Sequence, residues 1–215
     1  MIEWPKRLFI RLSQNMLEIK AFRETKPRGV ATLHKEPKDD VCQFYLYNAR
    51  ACENNMTTCT YDLFYKGKFC GFFSLSNFAL ELDRSDRKKQ LMEKENITFT
   101  PPATKLGQLY IVKDFRDKGL GAEAIWNAIQ MSLSSKSASR FLVLDVQNGK
   151  EYLFDVYAKF GWVRVSGMRT MFFDLLRYKI HRRRLKKIAD LPAKEELKAF
   201  AELQRQERQQ QRMPF

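Results

Sequence analysis

Apolar residues recur along this chain with two different periods, and the change of period marks its elements. Between Asp39 and Asn55, the residues Val41, Phe44, Tyr45, Tyr47 and Ala51 fall at helical intervals and predict an amphipathic helix. Two aromatic-rich runs follow, Thr58–Tyr65 and Lys68–Leu82. They alternate roughly residue by residue and are separated by Lys66-Gly67, a pattern that predicts a β-hairpin. Ser85–Glu95 is charged and predicts a helix that Thr100-Pro101-Pro102 breaks. Lys105–Lys113 reads as a buried strand, Phe115–Gly121 as a charged turn, and Ala122–Ser134 as a helix. Ser139–Val146 is a second buried strand, Lys150–Phe160 a helix stopped by Gly161, and Trp162–Leu175 β-like again. Strand, helix, strand, helix, strand indicates an α/β fold with a parallel component.

The two ends are less regular. Arg7–Phe22 suits a strand or a short helix, and Thr25–Asp40, with two prolines and many charges, reads as a loop. After Leu176 the pattern becomes polar and helix-forming, divided by Pro192. Its last stretch, QRQERQQQR, offers little apolar surface and predicts fraying. The expected organisation is an N-terminal extension over 1–40, a central domain over 41–176 and a basic helical tail over 177–215.

Composition sharpens this picture. The chain has 215 residues, of which 44% are hydrophobic and 13% aromatic, enough for a packed core. Its net charge is +14, and residues 177–215 carry 12 Lys+Arg against 5 Asp+Glu, half of the whole excess. Such a segment suits a polyanion or an acidic partner, or simply a solvated helix. No apolar run reaches the roughly 18 residues of a membrane span, and the charged start lacks a secretory pattern, so a cytoplasmic protein is expected. Cys42, Cys52, Cys59 and Cys70 form no CxxC pair and only two histidines exist, so no metal site is expected. Reduced, mostly buried thiols fit that compartment.

The chemistry concentrates at Arg116-Asp117-Lys118-Gly119-Leu120-Gly121, where a strand hands over to a helix. Glycines allow the backbone to turn tightly and approach a ligand. A helix start presents unpaired N–H groups and the positive end of its dipole. Together they form an anion cradle suited to a pyrophosphate, although the same six residues also suit an ordinary tight connection. No Gly-Lys-Ser/Thr closes the loop, so it is not a Walker loop.

Context adds to this signal. Leu109-Tyr110-Ile111-Val112 precedes R-x-x-G-x-G, a helix and the strand Phe141–Val146 follow, and then comes Tyr157-Ala158-Lys159-Phe160-Gly161-Trp162. This ordered set resembles the GNAT superfamily of acetyl-CoA-dependent N-acetyltransferases, over roughly Asp40 to Leu176. The resemblance implies a central mixed, twisted sheet flanked by helices. Within the superfamily, Gly71-Phe72-Phe73-Ser74-Leu75-Ser76 and the Phe-Phe-Asp-Leu after Met171 resemble the GNAT-type toxins, which acetylate the amino acid on charged tRNA and block translation. The chain departs from those toxins where Gln108-Leu109-Tyr110 replaces Arg-Leu-Ala, in its N-terminal extension and in its basic tail.

The resemblance implies roles. Leu109, Tyr110 and Ile111 line the pantetheine arm, with the Ile111 N–H polarising the thioester carbonyl. The N–H groups of Arg116, Asp117, Lys118, Gly119, Leu120 and Gly121 hold the pyrophosphate of acetyl-CoA. Asn148 is the further cofactor contact, although it stands nine residues before Tyr157, farther than the superfamily's usual spacing. Tyr157 is the catalytic acid for the departing thiolate; without the motif it reads as a core aromatic. No carboxylate lies on KLGQLYIV to act as base, and Glu81 and Asp83 are the nearest candidates by order. A lysine amine, with a pKa of about 10.4, needs such a base, whereas an α-amine at roughly 7.7–8.0 does not. The missing base and the positive charge both favour charged tRNA as acceptor, bound through the tail. Protein or small-molecule amines are the alternative acceptors. A non-catalytic GNAT fold that binds nucleic acid or a partner chain is the third reading. The likeness to toxins also implies an antitoxin partner, and the tail's Leu185, Ile188, Leu197, Phe200, Ala201 and Leu203 suit either the domain surface or a homodimer.

Overall fold

The computed structural model describes residues 17–24, 29–36, 39–80, 100–135, 138–184 and 191–210. Residues 7–16, Glu81, Asp83, the helix expected over 85–95, Leu185 and Ile188 lie outside the described residues. A sheet of seven strands organises the rest. The strands are β1 (Leu17–Ala21), β2 (Cys59–Tyr65), β3 (Lys68–Ala79), β4 (Pro102–Ile111), β5 (Phe141–Asp145), β6 (Val163–Arg164) and β7 (Thr170–Asp174), in the order β1-β2-β3-β4-β5-β7-β6. Every neighbouring pair is antiparallel except β4 and β5, which run parallel. The mixed sheet expected from the motifs is therefore present, and the expected hairpin is β2–β3.

Helices cover both faces. On one face lie α1 (Val30–Leu33), α2 (Asp40–Gln43), a π-helical turn (Phe44–Asn48) and α3 (Ala49–Asn54). These elements pack Leu33, Cys42, Tyr45 and Ala49 onto Phe64, Phe72 and Tyr110 of the sheet. Asp39 caps α2 by accepting the Cys42 N–H at 2.9 Å. Tyr45 is fixed from below by its hydroxyl, which donates to buried Asp62 Oδ1 at 2.9 Å. The helical turn at Val30–Leu33 falls in the stretch read as a loop; Leu33, 1% exposed, earns its helix by docking rather than by periodicity.

The opposite face carries α4 (Leu120–Ser134), α6 (Leu175–Arg184) and α7 (Ala193–Gln210), with the short α5 (Leu153–Ala158) beside β6. Ala124, Ile125, Ala128 and Ile129 of α4 bury against Leu63, Phe73, Leu106 and Leu142. Glu123 of α4 also accepts the Leu17 N–H at 2.9 Å, so it ties down the edge strand β1. Leu17–Ala21, within the stretch assigned to an extension, thus pairs in register with Tyr65–Tyr61 of β2.

The tail departs most from expectation. Its terminal stretch is helical to Gln210 rather than frayed. The reason is an apolar stripe at i, i+3, i+4 and i+7: Leu197, Phe200, Ala201 and Gln204 are all buried. Phe200 packs on Phe173 and Tyr178, with ring centroids 5.1 and 5.3 Å apart. Burying a Leu or Phe side chain contributes about 1.5–3 kcal/mol each. A buried carboxylate fixes the register. Glu196 is fully buried, accepts the Trp126 indole N–H at 2.9 Å and the Tyr178 hydroxyl, and lies 3.0 Å from Arg182 Nε. Gln130 closes the network, donating to Tyr178 at 3.1 Å and accepting from Arg182 at 2.8 Å.

Two donors, Trp126 of α4 and Tyr178 of α6, and the Arg182 guanidinium as an ion-pair partner thus converge on one carboxylate of α7. Glu196→Ala leaves the Trp126 N–H buried without a partner and Tyr178 and Arg182 with Gln130 alone, and is expected to cost about 3–5 kcal/mol. Urea unfolding followed by circular dichroism checks this; a loss below about 1 kcal/mol would show that the network does not hold the tail.

Candidate active site

The site begins with a defect in pairing. β4 and β5 pair only at Ala103–Lys105 with Phe141–Val143. Immediately afterwards the β3–β4 register shifts: Leu75 faces Leu106, yet Phe73 faces Leu109, so β4 carries one residue more than β3. Gly107-Gln108 is the bulge. Ser74 stabilises it by accepting the Gln108 N–H on its Oγ at 3.0 Å. Beyond this point β4 stays with β3 while β5 stays with β7, and the parallel pair opens toward its carboxyl ends.

The opening exposes backbone donors. The Val112 N–H donates to the Cys70 carbonyl at 2.9 Å, on the β3 side. N–H groups alternate edges along a strand, so Ile111 and Leu109 aim theirs at the opening. Their side chains pack on the α4 face, whereas the Tyr110 ring turns to the other face. Gly71 holds β3 close to this end of β4: a Cβ there would lie 2.1 Å from the Tyr110 carbonyl oxygen. That approach is the physical reason for a glycine at the head of Gly71–Ser76.

The loop predicted as an anion cradle follows. Lys113–Phe115 forms a 3-10 turn, Asp117 has φ 62, and Gly119, with φ 79, is the N-cap of α4. No side chain caps that helix start. The Glu123 N–H closes the first helical bond on the Gly119 carbonyl at 3.2 Å, so the N–H groups of Leu120, Gly121 and Ala122 precede any helical bond. A Cβ at Gly119 would meet nothing within 4 Å, and one at Gly121 would reach only Ile111 Cγ1 at 4.0 Å. The surface above the helix start is thus clear backbone. Two cations line the loop from behind. Arg116 donates from Nε to the Ile111 carbonyl at 3.0 Å and lies over the Tyr110 ring; Lys118 donates to the Asp114 carbonyl at 2.8 Å. Both side chains remain exposed.

Across the opening stands the β5 bank. Arg169 holds the chain after β5, donating from Nε to the Val146 carbonyl at 2.7 Å and from Nη2 to the Gln147 carbonyl. Asn148 is exposed in the turn that follows. Tyr157 is half-buried on α5, with its ring centroid 6.0 Å from that of Trp162. Burial, and secondarily the Tyr152 phenol, pushes its pKa up to about 12. The structure therefore brings Leu109–Ile111 together with Arg116–Gly121 on one bank and places Asn148 and Tyr157 on the other. At the floor, Lys105 Nζ and Asp145 Oδ2 pair at 2.6 Å, and Thr170 donates to Asp145 Oδ1 at 2.7 Å. Those two bonds hold the Asp145 carboxyl below its ordinary range, against the opposing effect of its burial.

Sequence reasoning missed three members of this constellation. Gly107 is a glycine inside a strand pattern, a signal for a bulge. Asp145 stands on a strand read only as buried. Glu36, in the stretch read as a loop, reaches the end of β4: its Oε2 accepts the Tyr110 hydroxyl at 2.6 Å and the Lys113 N–H at 3.2 Å. No sequence pattern marks that long-range contact. Among the described residues, no three His, Cys, Asp or Glu converge to hold a metal, and no helix is long and apolar enough to cross a membrane. All four cysteines are free thiols, Cys42 and Cys70 buried and Cys52 and Cys59 half-buried.

The chain matches the Acetyltransferase (GNAT) family over residues 17–162, and it belongs to that family of acetyltransferases. No curated protein matches it significantly. Among solved structures it is similar to AtaT complexed with acetyl-methionyl-tRNAfMet, at 16% identity and a TM-score of 0.62, covering 77% of this chain and 98% of that one. It is likewise similar to an AtaT mutant toxin bound to the C-terminus of the antitoxin AtaR and acetyl-CoA, at 17% identity, TM-score 0.58, with coverage of 78% and 98%. A mutant of KacT matches at 15% identity and TM-score 0.58, with coverage of 75% and 96%. At these identities the likeness is one of fold, and the sheet described above carries it.

Tyr157 and Tyr61 are both pushed from 10 to about 12 by burial. A raised folded-state pKa favours the protonated form, so this contribution to stability is complete below pH 10 and lost as pH rises toward 12. The tyrosinate absorbance of these phenols should rise together with loss of the circular dichroism signal across that window. Full titration of all 8 tyrosines near pH 10 with the fold intact would contradict their burial.

Proposed function

We propose that this protein transfers the acetyl group of acetyl-CoA to a primary amine, and that the preferred acceptor is the α-amine of aminoacyl-tRNA. The observation that carries the reading is the opening between β4 and β5, with the Ile111 N–H on its edge and the uncapped start of α4 beside it. When bound, acetyl-CoA supplies the acetyl group as an activated thioester. The Gly119–Ala122 backbone and the dipole of α4 would hold its pyrophosphate, with Arg116 and Lys118 adding positive charge. The Ile111 N–H is placed to hydrogen-bond the thioester carbonyl, where negative charge develops.

Tyr157 keeps its proton through the neutral range, since its pKa lies near 12. Full transfer to a thiolate with a pKa of about 8.5 would run uphill by about 5 kcal/mol. Its role is therefore to donate a hydrogen bond to the departing sulfur, which then takes its proton from solvent.

Three features favour charged tRNA. No Asp or Glu lies on β4, and an α-amine already has a neutral fraction at pH 7. The chain carries +14, suited to a polyanion. Exposed Lys179 and Arg183 of α6 and Lys194, Lys198 and Arg205 of α7 give the docked tail a basic outer surface. The likeness to AtaT with acetyl-methionyl-tRNAfMet supports the same acceptor. Protein and small-molecule amines are the second reading.

Labelled acetyl-CoA offered to charged and to deacylated total tRNA tests the proposal. Label is expected in RNA from the charged pool alone, released by mild alkali, and reduced at least about 100-fold by Tyr157→Phe. Label in protein or small amines, with none in charged tRNA, would replace the acceptor while keeping the enzyme. The tail is part of the core, so its contribution is read by charge reversal rather than deletion. Lys179→Glu with Arg183→Glu should weaken transfer to tRNA, flatten its salt dependence and leave the melting temperature within a few degrees. Unchanged transfer would remove the tail from tRNA binding.

A further inference from the structure

An acetyltransferase needs a group that faces the acceptor nitrogen, and β4 offers no carboxylate. We infer that Glu36, delivered from the α1–α2 connection, faces the acceptor amine and takes its proton during transfer. This rests on the acetyltransferase reading above, but not on tRNA as the acceptor.

Topology fixes the side from which the acceptor comes. α4 and the loop before it occupy one face and one end of the sheet, so the cofactor enters the opening from there. The acceptor must approach over the other face, the one to which Tyr110 turns. Among the described residues, three other carboxylates on that side of the sheet already have partners. Asp145 accepts Lys105 and Thr170, one on each oxygen. Asp39 accepts the Cys42 N–H on Oδ1 and pairs with Lys150 on Oδ2 at 3.8 Å. Asp62 is fully buried and accepts the Tyr45 hydroxyl. Glu36 differs: it is half-buried, and both of its bonds, from Tyr110 and Lys113, fall on Oε2. Oε1 accepts none among the described residues. Tyr110 and Lys113 flank the Ile111–Val112 segment whose backbone donor faces the opening, so the carboxylate is held above that edge of β4.

The groups around Glu36 hold it in place. Tyr110 and Lys113 face it from β4 and the turn after it, with Arg116 over the Tyr110 ring. From α2, Cys42 contacts the Tyr110 hydroxyl, and the charges of Asp39 and Glu36 both act on the Cys42 thiol. Two hydrogen bonds to Oε2 hold the carboxylate in place and orient its other oxygen. An α-amine that arrives partly neutral still sheds one proton as the N–C bond forms, and Glu36 is placed to take it. As the N–C bond forms and the thioester C–S bond breaks, the nitrogen gives one proton to Glu36 Oε1. The sulfur leaves as a thiolate, hydrogen-bonded by Tyr157, and takes a proton from solvent, to which Glu36 returns its own. The sum is amine plus thioester to amide plus thiol.

The test uses the full chain with acetyl-CoA and two acceptors, charged tRNA and an amino acid methyl ester with a free α-amine. Glu36→Gln should lower kcat about 100-fold on whichever acceptor the wild type acetylates, with the melting shift induced by acetyl-CoA unchanged. In Glu36→Ala, added formate and acetate should restore rate, acetate more than formate because it is the stronger base, while Glu36→Gln stays unrescued. Tyr110→Phe, which keeps the carboxylate but removes one of the two bonds to Oε2, should lose about tenfold in kcat and serves should the Glu36 variants not fold. Wild-type kcat in Glu36→Gln, or no rescue of Glu36→Ala by either carboxylate, would overturn the inference. Acetylation of the ester but not of charged tRNA would reject the tRNA reading alone. Transfer to neither acceptor would reject both.

Discussion

The hydrogen bond from the Gln108 N–H to Ser74 Oγ is small, worth about 1 kcal/mol net, yet the geometry of the site depends on it. It stabilises the extra residue in β4, and the bulge turns β4 away from β5 just after Lys105. A regular ladder would pair Ile111 with the neighbouring strand and leave no donor for a thioester oxygen. The sheet instead forgoes several backbone hydrogen bonds along its only parallel seam among the described residues. Those unmet donors are what the proposed transfer would use to bind and polarise its substrate. Gly71 belongs to the same device, because its missing Cβ lets β3 follow β4 through the bend.

The second constraint is the docking of the tail. A helix rich in Lys, Arg and Gln has every compositional mark of a solvated appendage. Glu196, Leu197, Phe200 and Ala201 make it part of the core, and its cations point outward as a consequence of that register. A buried carboxylate with three partners is a poor source of net stability but a strict selector of alignment. Shifting the helix by one residue would turn Glu196 away from Trp126 and Tyr178 and bring a charge or an exposed apolar residue into its place.

Much of this was legible in the sequence, and what escaped has a physical pattern. The hairpin at Lys66-Gly67, the strand–loop–helix of Leu109–Gly121 and the Tyr157 motif depend on local periodicity and on fixed spacing, both of which one sequence displays. The bulge at Gly107 was readable but was absorbed into a strand. On α7, Leu197, Phe200 and Ala201 were legible as a face able to pack on the domain, whereas Gln204, a polar residue that also fills a core position, was not. Glu36 was not readable at all: its partner Tyr110 lies 74 residues away, and nothing near Glu36 marks it. Local rules find elements and the motifs carried on them; they do not find side chains that reach a site from a distant loop.

Besides the Lys105–Asp145 pair at its floor, a second contact among the described residues spans the opening. Asp39, at the start of α2, and Lys150, after β5, approach to 3.8 Å, each side chain roughly a third exposed. Pairs of this kind are worth at most about 1 kcal/mol, so the link is broken in about 15% of molecules or more at any instant. The passage is consequently bridged by a clasp rather than sealed by a lid. Ionic strength acts on that clasp as well as on any long-range attraction to a polyanion, and the two effects have opposite signs: salt loosens the doorway while it weakens the pull toward it.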